Sequence, residues 1–104
     1  MGVKEFYIDG VMLIAAGDFN GAIGSFHKAL EADSRFYMAH LGLSQALDKQ
    51  GKVDEAITQA RRAIEIAPEE PLAHASLSRL LQQKGLIPEA EEEMAESMRL
   101  QDET

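Results

Sequence analysis

Cysteine is absent from all 104 residues, which excludes a disulfide framework, a thiolate nucleophile and a cysteine-type zinc site, and removes one argument for secretion. Long apolar runs are missing too. The longest near the start, Val11 to Ala16, follows Glu5 and Asp9 and is too short for a signal core or a membrane span. Met1-Gly2 opens the chain, but Phe6 stands where a myristoylation motif needs Ser or Thr. Cations are outnumbered, with 10 Lys and Arg against 18 Asp and Glu for a net charge of -8. With no basic stripe, duplex nucleic acid and anionic membrane surfaces are repelled over most of the protein. There is no Gly-rich phosphate loop, no paired His-Glu zinc motif and no convincing Ser/His/Asp set. The expectation is a protein that is not an enzyme, has no cofactor or metal, and resides in the cytoplasm.

What the chain does contain is a repeat. Gly17, Gly51 and Gly85 are spaced by 34 residues, and the residues after them keep step. Ala22, Ala56 and Ala90 follow at one offset, Phe26, Ala60 and Met94 at the next, then Ala29, Ala63 and Ser97. One unit has been written three times, as residues 3–36, 37–70 and 71–104. Hydrophobic residues make up 45% of the chain and no Gly- or Ser-rich linker divides it, so residues 1–104 are expected to form one domain. The units carry 3 cations and 5 anions, 4 and 6, and 3 and 7 in turn, which concentrates acid in the last helix.

Apolar spacing predicts six helices. The first, Lys4 to Ala16, is apolar almost all round through Phe6, Tyr7, Ile8, Val11, Met12, Leu13 and Ile14, and should be covered on more than one face. Gly17 stops it, and Asn20 is the expected cap of the second helix, Gly21 to Ala32. Ser34 is a candidate cap for the third, Phe36 to Gln50, and Asp54 for the fourth, which Pro68 ends. Pro71 and Pro88 open the fifth and sixth as first-turn prolines. The sixth runs to about Leu100, and Gln101 to Thr104 should fray.

Three copies of helix, glycine turn and helix at this period resemble the tetratricopeptide repeat over essentially the whole chain. Gly10, with Ser44 and Ser78 in register, and Gly42 supply smallness at the helix crossing, beside the turn glycines, the three alanines and Pro68. His40 and His74 replace the early aromatic that Phe6 provides in the first copy, and Ser34 and Asp102 replace the closing proline. The resemblance implies an all-α fold: an α-solenoid of three helix-turn-helix repeats, six antiparallel helices in a right-handed superhelical stack.

The resemblance also implies a concave groove lined by the first helix of each pair. Its positions are Lys4, Tyr7, Ile8, Val11 and Ile14 in the first copy. Met38, Leu41, Gly42, Gln45, Asp48 and Lys49 follow in the second, and Leu72, Ala75, Ser76, Arg79, Gln82 and Gln83 in the third. An exposed apolar patch of this kind marks an interaction site, and an amphipathic helix or peptide of another protein is the matching ligand. Tyr7, Ile8, Val11, Met38, Leu41 and Leu72 are the expected contacts, with Lys4, Lys49 and Arg79 as orienting charges. The alternatives are a first helix that is simply core, and a homodimer or larger assembly built on the same surface. The family's carboxylate clamp for chaperone tails (Lys, Asn, Asn, Lys, Arg) falls on Tyr7, Val11, Gly42, Leu72 and Ser76, and its asparagine ladder on Ile8, Gly42 and Ser76, so neither is expected here.

Both ends of the stack carry polar substitutions. Ala39 and Leu43, repeated as Ala73 and Leu77, correspond to Glu5 and Asp9 in the first copy, and Ile23 and Ile57 correspond to Glu91 in the third. Such residues read as end caps of a complete three-repeat domain. His40 and His74 lie one repeat apart, a separation of roughly 8 to 10 Å that is too long for two ligands of one zinc. The run Glu91, Glu92 and Glu93 with Glu96 spreads around more than one helix face and reads as a solvated surface.

Overall fold

The computed structural model of the chain describes residues 2–103. It is all-α among those residues: α1 Val3–Ala15, α2 Phe19–Ala32, α3 Tyr37–Lys49, α4 Val53–Ile66, α5 Pro71–Gln83 and α6 Ile87–Asp102. No helix is long and apolar enough among them to cross a membrane. Each helix packs on the next, so the chain is three hairpins laid side by side in a body of 39 × 30 × 19 Å. The first helices α1, α3 and α5 also touch one another in sequence, whereas α2, α4 and α6 do not. One row of helices is therefore tighter than the other, and the α-solenoid curves with α1, α3 and α5 on its inner wall.

The turns inside the hairpins are one structure made three times. Gly17, Gly51 and Gly85 have φ of 82°, 79° and 83°, a left-handed conformation that glycine adopts without steric cost. Beyond each glycine the Leu13, Leu47 and Leu81 carbonyls accept the amides of Asp18, Lys52 and Leu86, each at 2.9 Å. This bond satisfies a carbonyl that the helix end would otherwise leave without a partner.

The expected caps are displaced. Asp18, not Asn20, caps α2, accepting the Gly21 amide at 2.9 Å. Ser34 is not the cap of α3, which follows Phe36 with no side-chain cap, and Asp54 lies inside the first turn of α4. Asn20 and Asp54 instead reach the following helix: Asn20 accepts a bond from Gln50 at 2.7 Å, and Asp54 pairs with Lys84 at 2.5 Å. Both pairs occupy the same repeat positions, so two residues that read as local caps are links between repeats. Glu70 does cap α5, behind Pro71. At the other end α6 continues through Gln101 and Asp102 where fraying was expected, and Thr104 lies outside the described residues.

Packing rests on very small residues. Ala22, Ala29, Ala39, Ala46, Ala56, Ala60 and Ala63 are completely buried. Against them Phe26, also fully buried, drives its ring between α1 and α3: a Cβ built on Gly10 or on Gly42 would stand 2.5 Å from a ring carbon. Ala60 occupies the place of Phe26 in the second repeat, and there Ser44 and Ser76 stand in for the two glycines. Ser44 uses the regained space to donate to the Ala56 carbonyl at 2.9 Å, and Ser78 in the third repeat donates to the Ala90 carbonyl at 2.7 Å. These bonds tie the two helices of a hairpin together inside the core.

Helix α1 has neighbours on two sides, as its apolar circumference requires, but they leave much of it open. It packs on α2 and α3, yet Gly10 is its one buried residue, and Ile8, Val11 and Met12 are 53%, 43% and 64% exposed. No other helix among the described residues covers these side chains. Glu5 and Asp9 are exposed, with Asp9 accepting from Ser25 at 2.6 Å.

Gly10→Ala and Gly42→Ala test the ring's demand for space. Helix propensity alone would make each stabilising by about 1 kcal/mol, whereas overpacking against Phe26 costs about 1–3 kcal/mol. Urea unfolding is expected to show net destabilisation. Phe26→Leu in either background should remove most of the added cost, giving a coupling of at least about 0.5 kcal/mol in the double-mutant cycle.

Candidate binding groove

The inner wall encloses a groove of about 450 Å³ between α1, α3 and α5. Tyr7 and Val11 supply its α1 side, Met38, Leu41, Gln45 and Lys49 its floor, and Leu72 and Arg79 its α5 side. Gly42, Ser44, Asp48 and Ser76 complete the lining. One face of α3, residues 38, 41, 42, 45, 48 and 49, therefore runs along the floor, as steps of three and four residues on a helix require. Of the sequence-predicted positions, Lys4, Ile8 and Ile14 on α1 and Ala75, Gln82 and Gln83 on α5 do not line this groove. Lys4 and Ile8 are exposed elsewhere on α1, and Ile14 packs against the core around Phe26 and Leu43.

The lining divides by chemistry. Val11, Met38 and Leu72 are 43%, 37% and 59% exposed, so the groove offers apolar surface to solvent. Tyr7 plays a second part, since its ring packs on Phe26 at 5.9 Å and edge-on to Phe36 at 5.5 Å. It is anchored in the core and presents only part of itself to the groove. Lys49 and Arg79 are exposed and form no ion pair among the described residues, while Asp48 accepts a long bond from Gln83 at 3.4 Å. The groove thus places two free cations in a protein of net charge -8.

The histidines lie outside this wall and serve the hairpins. His40 Nδ1 meets Gln59 at 2.8 Å, and His74 Nδ1 meets Glu93 at the same distance, in the same repeat position. His74 also bonds the Pro68 carbonyl at 2.7 Å through Nε2. With a carboxylate at one nitrogen and a carbonyl at the other, the ring is set up to donate from both. Burial opposes the charged form of His74, but the Glu93 hydrogen bond, the Pro68 carbonyl and the charges of Glu93 and Glu96 outweigh it and raise its pKa. At the repeat junction, burial and then Glu70, which accepts the Tyr37 hydroxyl at 3.2 Å, raise the Tyr37 phenol. Sequence reasoning missed both junction bonds, although the shared spacing of His40 with Gln59 and His74 with Glu93 was there to be seen.

With this geometry in place, comparison with known proteins is informative. A family model described as tetratricopeptide repeat matches residues 13–80. No curated protein matches the chain in sequence. Among solved structures, a crystal structure of MamA superposes with a TM-score of 0.91 at 22% identity, covering 98% of this chain and 60% of that one. The chain thus spans little more than half the length of that protein. The second tetratricopeptide domain of Spaghetti (RPAP3), bound to the HSP90 peptide SRMEEVD, superposes with a TM-score of 0.89 at 19% identity over 96% of this chain and 93% of that one. The first domain of the same protein, bound to the same peptide, gives 0.91 at 15% identity, over 98% and 81%.

The raised His74 pKa fixes the sign of a pH effect. Its interaction with Glu93 is fully present below about pH 6.5, the unfolded value, and is lost as pH rises through the higher folded value. The stability difference between the wild type and Glu93→Gln in urea unfolding should therefore be larger at about pH 6 than at about pH 9. An equal difference at both would show that the pair carries no proton linkage.

Proposed function

The chain belongs to the tetratricopeptide repeat family, a protein-interaction repeat, and we propose that its concave groove binds an apolar or amphipathic segment of another protein. The observation that carries this is the apolar surface of Val11, Met38 and Leu72 left open on the inner wall. An amphipathic helix or extended peptide buries such a surface, at about 25 cal/mol per Å² removed from water. Tyr7 and Leu41 extend the apolar contact, and Gln45, Lys49 and Arg79 give orientation, which polar groups at a groove's edge supply better than affinity. Lys4, Ile8, Ile14, Ala75, Gln82 and Gln83 take no part in this version of the site.

The neighbours from Spaghetti hold a peptide, and in this family a clamp of basic and amide side chains grips such chaperone tails. Here the five clamp positions, Tyr7, Val11, Gly42, Leu72 and Ser76, all line the groove and none is a cation. The same location is kept and its chemistry changed, so the ligand is recognised through apolar side chains and not through a terminal carboxylate. A second reading, self-association through α1, draws on Ile8 and Met12, which are exposed and outside the groove.

Selection from a displayed random-peptide library should return sequences with apolar residues at helical spacing and an acidic residue for Lys49 or Arg79. Their affinity should fall at least about tenfold, or 1.4 kcal/mol, for Val11→Glu and Leu72→Glu, with urea midpoints moving by no more than about 0.5 kcal/mol in stability. Tyr7→Ser should lose both binding and stability, because its ring belongs to the core as well. Peptides that bind the two groove variants undiminished would refute the assignment. Light scattering over a dilution series checks self-association.

A further inference from the structure

The last helix presents a packing surface that the fold uses twice elsewhere. In the first hairpin Phe19, Ile23, Phe26 and Leu30 form one stripe of α2, and in the second Val53, Ile57, Ala60 and Ile64 form the matching stripe of α4. Each is covered by the helix that follows, α2 by α3 and α4 by α5. None of these eight side chains is exposed, and Phe26 and Ala60 are completely buried. In α6 the same stripe is Ile87, Glu91, Met94 and Met98, and no helix among the described residues covers it. Ile87, Met94 and Met98 are 46%, 38% and 58% exposed. Glu91 was expected to cap this end as a polar residue, but it is one acid in an otherwise apolar row.

We propose that this end face docks a basic amphipathic helix of another protein, seated where α3 and α5 sit on the stripes before it. The two internal examples define most of the ligand. The covering helices place Ala39, Leu43 and Ala46 against the first stripe, that is, apolar residues at i, i+4 and i+7, and Leu77 and Leu80 against the second, where the buried Ala73 is in register with Ala39. Glu91 changes one term of that pattern. It is exposed and has neither a hydrogen bond nor an ion pair among the described residues. A leucine at the central position of the ligand would lie beside its carboxylate, whereas Lys or Arg would lay its aliphatic stem on Met94 and carry its charge to Glu91. Glu92, exposed on the same helix, adds to the attraction for a basic ligand, whereas Glu96 is already paired with Arg99.

A second copy of this chain is the wrong occupant. Its α1 would bring Glu5 and Asp9 to the positions of Ala73 and Leu77, placing Asp9 near Glu91, and each copy already carries a net charge of -8. Pairing α6 with another α6 likewise sets acid against acid across the seam. Both arrangements cost Coulomb energy that a basic helix turns into attraction. The inference concerns a surface separate from the groove and does not rest on the groove's ligand.

The probe is a stapled helical peptide with the sequence of Pro71–Gln83 carrying Leu77→Lys, since α5 already fits the equivalent stripe of α4. A Leu77→Glu peptide is the control, and both are verified as helical by circular dichroism. The Lys peptide should bind the protein at least about tenfold more tightly than the Glu peptide, and less tightly as salt rises. Ile87→Glu and Met98→Glu should each abolish the binding, Leu72→Glu in the groove should leave it unchanged, and Glu91→Lys should reverse the preference between the peptides. Equal binding of both peptides, no binding by the helical Lys peptide, or loss of binding with Leu72→Glu would each overturn the proposal. A dimer in the absence of peptide that dissociates with Met98→Glu would overturn it in favour of a second copy.

Discussion

The hairpins close because the helices have almost no side chain at their crossings. A run of completely buried alanines brings backbones near enough for short residues to fill the remaining space. The spare volume is then traded along the repeat. Where the second helix spends it on Phe26, the first helices must give it back as Gly10 and Gly42, and where Ala60 takes little, Ser44 can add a hydroxyl and use it to bind the opposite helix. Every other feature of the molecule, from the curvature to the groove, inherits its dimensions from that trade.

Curvature follows from the asymmetry of the two rows. The first helices touch one another across repeats and the second helices do not, so α1, α3 and α5 form the concave wall. This makes α3 a floor with neighbours on both sides, and exposes α1 at the edge. The same stacking leaves two end faces that no repeat among the described residues covers. At the α1 end Glu5 and Asp9 have replaced the apolar residues of the internal copies, while at the α6 end only Glu91 has. The two ends are therefore unlike in chemistry.

Polar residues act here between elements more than within them. Asn20 and Asp54 stand at helix starts, where a short polar side chain ordinarily satisfies a free amide. The turn places each of them beside the next repeat instead, and Asp18 takes over the capping of α2. The exposed Lys84 and Asp54 pair adds little stability by itself, since solvent screens it, but it helps fix the setting of one hairpin on the next. His74 is different, because its two bonds lie in a buried position and connect α5 both to α6 and to the preceding turn.

Much of the fold was legible because periodicity is a property of order along the chain. The 34-residue spacing, the turn glycines and the alanines depend on local geometry that repeats wherever the residues repeat. The sequence by itself therefore determined the number of helices, their pairing and the general position of the inner wall. Which side chains share a surface depends on distances across helices, and only the tertiary structure decided that. It turned Ile14 into the core, left Ile8 outside the groove, and gave Tyr7 to both core and groove through its contacts with Phe26 and Phe36. Exposure at Ile87, Met94 and Met98 was also beyond pattern alone, because an apolar residue at a stacking position is buried only when something stacks upon it.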